Sequence, residues 1–211
     1  LYNHMTMFLG MKALEHEYKV MGLSAYAKEQ YYMEMYDLLK KMIYVEGLHF
    51  TGKVHAKHYL AYFKKHLVTK RFDNLSGAVQ RLTEDLMVEW VQNAIKKTGI
   101  KDILFSGGVF MNVKANMKLT ELPEAGDIYF MPSAGDESLS IGGCYFGYEK
   151  ICKERGIENT ALPLRDLYLG PEISDKEVVD VFGKQKGYKL EKLKNAPKKV
   201  AKLLSEGEIV A

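Results

Sequence analysis

A glycine pair followed by two asparagines is the first segment that could bind a ligand. Gly107 and Gly108 precede Asn112 and Asn116, which a helix would place on one face. Adjacent glycines let the backbone adopt positive φ and let a ligand lie against it. A helix after them would offer free N–H groups, and asparagine can donate to or accept from a ribose or a base. The residue types favour equally a nucleotide site and a tight turn whose asparagines face solvent.

A second segment, residues 132–138, places a carboxylate beside a glycine. Asp136 follows Gly135 at the expected start of a helix. Such a carboxylate can bind a metal or the magnesium of a nucleotide. Asp is also a preferred helix N-cap, and the sequence alone favours that structural interpretation.

Two further groups of residues carry weaker signals. His49, His55 and His58 lie near one another in sequence, but their spacing matches no common pattern of metal ligands, so we expect no metal there. Eight lysines between residues 184 and 202 are typical of a solvated face. Because Tyr188 is the one aromatic residue among them, we expect no nucleic-acid partner.

A long amphipathic helix is expected before the glycine segments. Apolar residues at helical spacing predict a helix over 73–98, with Asp73 as its N-cap and Gly99 as its terminator. We expect the apolar stripe of this helix to cover a sheet.

The elements around the two glycine segments follow a repeated order. A strand at 103–105 and a helix at about 111–119 are followed by a strand at 128–131 and a helix that ends near Arg155. This order predicts an α/β fold with parallel strands. Parallel strands linked in this way place both glycine turns at one edge of the sheet, where α/β proteins bind ligands.

The rest of the chain divides near residue 160, where a linker-like stretch separates a domain 1–160 from a domain 161–211. The remaining expected elements are helices at 29–41, 53–67, 175–182 (capped by Ser174) and 196–205, and strands at 42–45, 167–169 and 188–193.

The composition is that of an ordinary globular protein. The 211 residues carry a net charge of +3, which is too small to indicate nucleic-acid binding. Cys144 and Cys152 lie too far apart in an expected helix for a disulfide, and their number fits a cytoplasmic protein. No apolar run is long enough for a membrane helix. The chain begins with Leu1 rather than Met and ends in an apolar run after Gly207, so we expect an internal fragment of a longer protein.

Four motifs resemble, in order, those of the O-carbamoyltransferases. Residues 17–23 resemble the family motif E-x-K-V-M-G-L-A, and residues 107–116 resemble G-G-V-x-x-N-x-x-x-N. Residues 133–136 resemble a segment with a small residue before Gly-Asp, and residues 168–175 resemble Y-L-G-P-E-x-S-D. The signal is specific because the four motifs occur in the right order across most of the chain.

This resemblance implies a fold. The family has an actin/Hsp70-like ATPase domain, related to the tRNA threonylcarbamoyl-adenosine synthases, and then a YrdC-like domain. Residues 1–160 would form the second half of the ATPase domain, an RNase H-like α/β lobe. Residues 161–211 would form the truncated start of the α/β YrdC-like domain. The N-terminal lobe and the rest of the YrdC-like domain would be partners outside this chain, and a homodimer is left open.

The resemblance also implies an activity. ATP and carbamoyl phosphate would give carbamoyl-adenylate, and the carbamoyl group would pass to a hydroxyl of a small-molecule or saccharide acceptor. A divalent metal, often iron, would be held by Asp136 and by two histidines of an H-x-x-x-H motif. That motif is absent from this sequence, and no catalytic residue is assigned. The residues implied in nucleotide binding are Glu17, Lys19, Gly107, Gly108, Asn112 and Asn116.

Two alternatives remain open at this stage. Another actin-like ATPase, such as a tRNA threonylcarbamoyl-adenosine synthase relative, would share the nucleotide-binding segments, although it normally lacks a domain after residue 160. A regulatory or structural nucleotide-binding module without catalysis would share them as well. No motif identifies the acceptor.

Overall fold

The computed structural model describes residues 1–164, 167–168 and 170–210. The chain divides into two compact units, Leu1–Pro163 and Leu164–Ala211, close to the boundary expected near residue 160. Which domain each unit represents stays a prediction. No helix in the described ranges combines the length and the apolar composition that crossing a membrane requires.

The first unit has an α/β structure in which helices predominate and the strands are short. Its helices are α1 (Tyr2–Phe8), α2 (Glu17–Ser24), α3 (Glu29–Lys40), α4 (Tyr59–His66), α5 (Phe72–Thr98), α6 (Val113–Thr120) and α7 (Ser138–Arg155). Its strands are β1 (Tyr44–Glu46), β2 (His49–Thr51), β3 (Ile103–Phe105) and β4 (Ile128–Phe130).

The long helix α5 takes part in two hydrophobic clusters. Leu75 and Leu82, in its first half, pack with buried residues of α1, α2, α3 and α4. Val91 and Ile95, in its second half, pack with residues of β3, α6 and the turns beside them. The expectation that α5 covers a sheet is therefore correct only for its second half. The physical reason is length, since a three-residue strand spans about 10 Å and a 27-residue helix about 40 Å.

At the two ends of α5, one prediction from the sequence is confirmed and the other is wrong. Gly99 adopts φ 72° directly after the helix, which confirms it as the terminator. The predicted N-cap was wrong, because the helix begins at Phe72 and Asp73 lies in its first turn. The Asp73 carboxylate instead accepts hydrogen bonds from Nε and Nη2 of Arg71, at 3.1 and 3.0 Å.

Strands β3 and β4 form the parallel pair that the sequence predicts. Ile103 is paired with Ile128, and Phe105 with Phe130. Strands β1 and β2 form a separate antiparallel hairpin.

Two helices begin later than the sequence predicts. A 3-10 turn, Gly108–Met111, precedes α6, which begins at Val113. The predicted helix 53–67 is also shorter, because His55 is extended and caps a 3-10 turn, Ala56–His58, that precedes α4.

The second unit contains two helices among its described residues, α8 (Asp175–Phe182) and α9 (Ala196–Ser205). Ser174 caps α8 as predicted, with Glu177 completing a capping box. The predicted strand 188–193 was wrong, since these residues are exposed and form no ladder. A strand needs a hydrogen-bonded partner, and the described part of this unit contains none. Of the predicted strand 167–169, residues 167 and 168 are not in a strand, and Leu169 lies outside the described residues.

Candidate functional site

The two glycine turns lie side by side at one edge of the β3–β4 sheet. The backbone N–H of Gly107 donates to the carbonyl oxygen of Ala134 at 2.9 Å. One residue beyond β4, the N–H of Met131 donates to the carbonyl oxygen of Phe105, also at 2.9 Å. The predicted juxtaposition of the two turns is therefore confirmed, and it follows from the parallel pairing of the strands.

The two adjacent glycines of the first turn differ in backbone conformation, and so in whether another residue could replace them without strain. Gly107 has φ 111° and ψ 151°, a conformation that is open to glycine and strained for other residues. Gly108 begins the 3-10 turn, and an added Cβ there would meet no atom within 4 Å. Both glycines are exposed, so a ligand could lie against their backbone.

Asn112 is the N-cap of α6. Its Oδ1 accepts a hydrogen bond from the backbone N–H of Ala115 at 3.1 Å. The same side chain forms a reciprocal pair with Gln80 of α5, in which each carboxamide donates to the other, at 2.9 and 3.1 Å. The Asn112 carboxamide is thus used inside the protein, and its predicted contact with a nucleotide stays a prediction.

Gln80 is a polar residue of this region that the sequence did not identify. The residue is 3% exposed, although it lies on the long amphipathic helix α5. Its position in the sequence could have indicated its burial, because Gln80 lies between Val79 and Leu82, which are both buried. A glutamine buried there needs hydrogen-bond partners. Nothing in the sequence indicated that Asn112, far along the chain, supplies them.

Asn116 lies one turn into α6. Its Nδ2 donates to the carbonyl oxygen of Phe110 at 2.7 Å, which ties the helix to the 3-10 turn. Its Oδ1 is buried and has no hydrogen-bond partner in the described part of the chain. A buried acceptor without a donor is uncommon in folded proteins, and a ligand could donate to this oxygen only if the atoms that cover it moved.

Asp136 is exposed, and it is not the cap of the helix that follows it. Glu137 occupies the position before α7, and the hydroxyl of Ser133 donates to the Glu137 carboxylate. This hydrogen bond, together with backbone N–H donors, holds the pKa of Glu137 below its usual value. The N-cap interpretation of Asp136 was therefore wrong, because Glu137 directly precedes the helix, and the Glu137 side chain itself makes no capping hydrogen bond.

Glu17 and Lys19 lie on α2, which packs against α5. The Glu17 carboxylate accepts a hydrogen bond from the backbone N–H of Leu14 at 2.9 Å, across the start of the helix. Lys19 is exposed, with its Nζ 5.8 Å from the centre of the Tyr18 ring. In the described ranges, no hydrogen bond or ion pair joins these two residues to the glycine turns.

In the part of the chain that the structure describes, no three His, Cys, Asp or Glu side chains are placed so that they could hold one metal ion. His55 and His58 have ring centres 6.5 Å apart, and His55 accepts a hydrogen bond from the N–H of Lys57. These contacts give His55 a local structural role at the start of the 3-10 turn.

Comparison with known proteins assigns the family. The family model described as Carbamoyltransferase N-terminus matches residues 1–145, which include both glycine turns. The chain therefore belongs to the carbamoyltransferase family, as its motifs predict.

Several curated proteins are similar over most of the chain. It is 27% identical to Uncharacterized protein MJ1058 of Methanocaldococcus jannaschii, with 100% of the chain and 35% of that protein covered. It is 26% identical to Nodulation protein NolO of Bradyrhizobium diazoefficiens, with 78% of the chain and 30% of that protein covered. It is 25% identical to Nodulation protein NolNO of Sinorhizobium fredii, with 100% and 31% covered. The chain thus spans about a third of the length of these relatives.

Proposed function

We propose that this chain forms part of the active site of an ATP-dependent O-carbamoyltransferase. In the proposed reaction, carbamoyl phosphate, ATP and one water give carbamoyl-adenylate, pyrophosphate and phosphate. A hydroxyl of a sugar or natural-product acceptor then attacks the carbamoyl carbon and displaces AMP. The match of the family model to residues 1–145 is the observation that carries this proposal.

The nucleotide lies, in this proposal, against the edge where the two glycine turns meet. Gly107 and Gly108 leave their backbone exposed, so a phosphate or ribose can approach closely. Asn116 adds an acceptor without a partner among the described residues, Oδ1, which a donor group of the nucleotide reaches in this proposal once the atoms that cover it move. Glu17 and Lys19 belong to the same proposal through the motif resemblance, and the exposed ammonium of Lys19 suits a phosphate.

The residues of this chain do not by themselves fit a divalent metal centre. Asp136 offers an exposed carboxylate, but the described residues bring no second and third ligand to it. We propose that Asp136 supplies one anionic ligand to a metal, iron by family resemblance, whose other ligands come from elsewhere in the protein. No step of the proposed reaction is assigned to that metal.

The fold proposed for the two units follows the same resemblance. The first unit would be a lobe of an actin-like ATPase domain, and its parallel β3–β4 pair flanked by α5 and α6 is compatible with such a lobe. The second unit would begin a YrdC-like domain. We further propose a cytoplasmic protein, in which the free cysteines Cys144 and Cys152 stay reduced.

The test begins with a half-reaction that needs no acceptor. Formation of carbamoyl-adenylate makes the exchange of labelled pyrophosphate into ATP depend on carbamoyl phosphate. We expect this exchange with the intact protein, and we expect an O-carbamoylated product and AMP when a panel of hydroxylated acceptors is added. The absence of exchange that depends on carbamoyl phosphate, in protein that binds ATP, would support the regulatory alternative instead.

A further inference from the structure

A buried network of hydrogen bonds around Gln80 joins three separate parts of the first unit. Oε1 of Gln80 accepts from the hydroxyl of Tyr2 in α1 at 2.8 Å and from Nδ2 of Asn112 at 2.9 Å. Nε2 of Gln80 donates to Oε1 of Glu84 at 2.7 Å and to Oδ1 of Asn112 at 3.1 Å. All four hydrogen-bonding positions of this carboxamide are therefore used.

The orientation of both carboxamides is fixed by groups at the ends of the network. The N–H of Ala115 can only donate, so the atom it meets must be Oδ1 of Asn112. The Glu84 carboxylate accepts, so the atom it meets must be Nε2 of Gln80. The reciprocal pair between Gln80 and Asn112 follows from these two constraints, and flipping either amide would break it.

Tyr2 holds the other side of Gln80 in place. Burial raises the pKa of the Tyr2 hydroxyl, and the nearby charges of Glu84 and Glu17 raise it further. The hydroxyl therefore keeps its proton at neutral pH and remains a donor to Gln80. Gln80 is fixed in this way by α1 and by its own helix before it reaches Asn112.

We propose that Gln80 is a positioning residue for the nucleotide. It holds Asn112 at the N-terminus of α6, and Asn112 in turn fixes where the turn 107–111 and Asn116 lie. On this view Asn112 acts by capping α6 and does not itself touch the nucleotide. The inference rests on the proposed function, since it assigns the nucleotide to the edge where the glycine turns meet.

Loss of Gln80 would release Asn112 from one side and let the glycine turn move. In this proposal the turn binds the nucleotide in the ground state and the transition state alike, so the change should appear in KM for ATP more than in kcat. We expect KM for ATP to rise about tenfold in Gln80→Met, with kcat changed less than about twofold.

The experiment compares two variants with a matched control in the intact protein. Gln80→Met removes the carboxamide, and Gln80→Glu keeps its shape but replaces the donor with an acceptor that faces Glu84. Thr83→Val is the control, because Thr83 is a buried polar residue of the same helix whose hydroxyl donates to the carbonyl of Val79 and makes no other hydrogen bond among the described residues. KM for ATP should rise in both Gln80 variants and stay unchanged in Thr83→Val.

A second measurement separates this inference from the proposed function. Hydrogen exchange of the amides in residues 107–117 should become faster in both Gln80 variants than in wild type or Thr83→Val, whether or not the protein uses ATP. An unchanged KM for ATP in an ATP-using protein, or unchanged exchange in this segment, would overturn the positioning role. If the wild-type protein does not use ATP, the proposed function is wrong. If exchange in residues 107–117 is nevertheless faster in the Gln80 variants than in wild type, Gln80 remains the residue that orders the turn.

Discussion

The N–H of Gly107 donates to the carbonyl oxygen of Ala134, and this hydrogen bond of 2.9 Å joins the two turns that follow β3 and β4. It forms while Gly107 has φ 111° and ψ 151°. Only glycine adopts this conformation without strain. The juxtaposition of the two turns therefore depends on the residue type at position 107 as well as on the pairing of the strands.

Gly107→Ala should destabilise the first unit. A side chain at this φ and ψ costs on the order of 1–3 kcal/mol, because the backbone must either carry the strain or move away from Ala134. We expect a lower free energy of unfolding by about that amount, measured by urea denaturation, and weaker use of ATP by the intact protein.

Gly108→Ala is the matched control for this substitution. Gly108 lies in the 3-10 turn, and an added methyl group would meet open space. We expect its stability to stay close to that of wild type, whereas KM for ATP should rise if the nucleotide lies against the turn. A Gly108→Ala protein with unchanged KM would place the nucleotide elsewhere.

Asn112→Ala should lower the free energy of unfolding of the first unit. The substitution removes the cap of α6, worth about 1 kcal/mol, and leaves the buried Gln80 carboxamide with two hydrogen bonds fewer, worth about 1–3 kcal/mol. Asn112→Ser keeps a capping oxygen for α6 but loses both hydrogen bonds to Gln80. It should therefore fall between wild type and Asn112→Ala in urea denaturation, and a stability of Asn112→Ser equal to that of wild type would contradict the network.

The sequence predicted the elements around the site well, because they depend on local pattern. Helix α5, strand β3 and the terminator Gly99 have signals within a few residues, such as apolar spacing or a glycine after the last turn. The Gln80–Asn112 pair has no such signal, because it joins residues far apart in sequence. The N-cap prediction for Asp136 failed because two adjacent acids, Asp136 and Glu137, stand before α7, and their residue types do not show which of them directly precedes the helix.

Asp136→Ala should leave the fold intact. The side chain is exposed and caps no helix, so we expect a thermal midpoint within about 1 °C of wild type, in line with other surface changes. If Asp136 is a metal ligand in the intact protein, metal content by elemental analysis and carbamoyl transfer should fall together. Metal at the wild-type stoichiometry in this variant would remove Asp136 from the metal site.

The last prediction concerns the pH dependence of stability at the start of α5. The hydrogen bond from Arg71 is the main cause that lowers the pKa of Asp73 below its usual value, and the backbone N–H of Asn74 adds to it. A carboxyl whose pKa is lower in the folded state stabilises the protein above its unfolded pKa of roughly 4, and that contribution is lost as the pH falls through the folded value. Asp73→Asn should therefore lower the thermal midpoint by a few degrees at pH 7, and the difference from wild type should shrink steadily below about pH 4.

Asp37→Asn is the control for this prediction, because Asp37 is an exposed residue of α3 and lies outside the Arg71–Asp73 ion pair. A difference between wild type and Asp73→Asn that stays constant from pH 7 to pH 3 would show that the ionised carboxylate contributes nothing at this helix start.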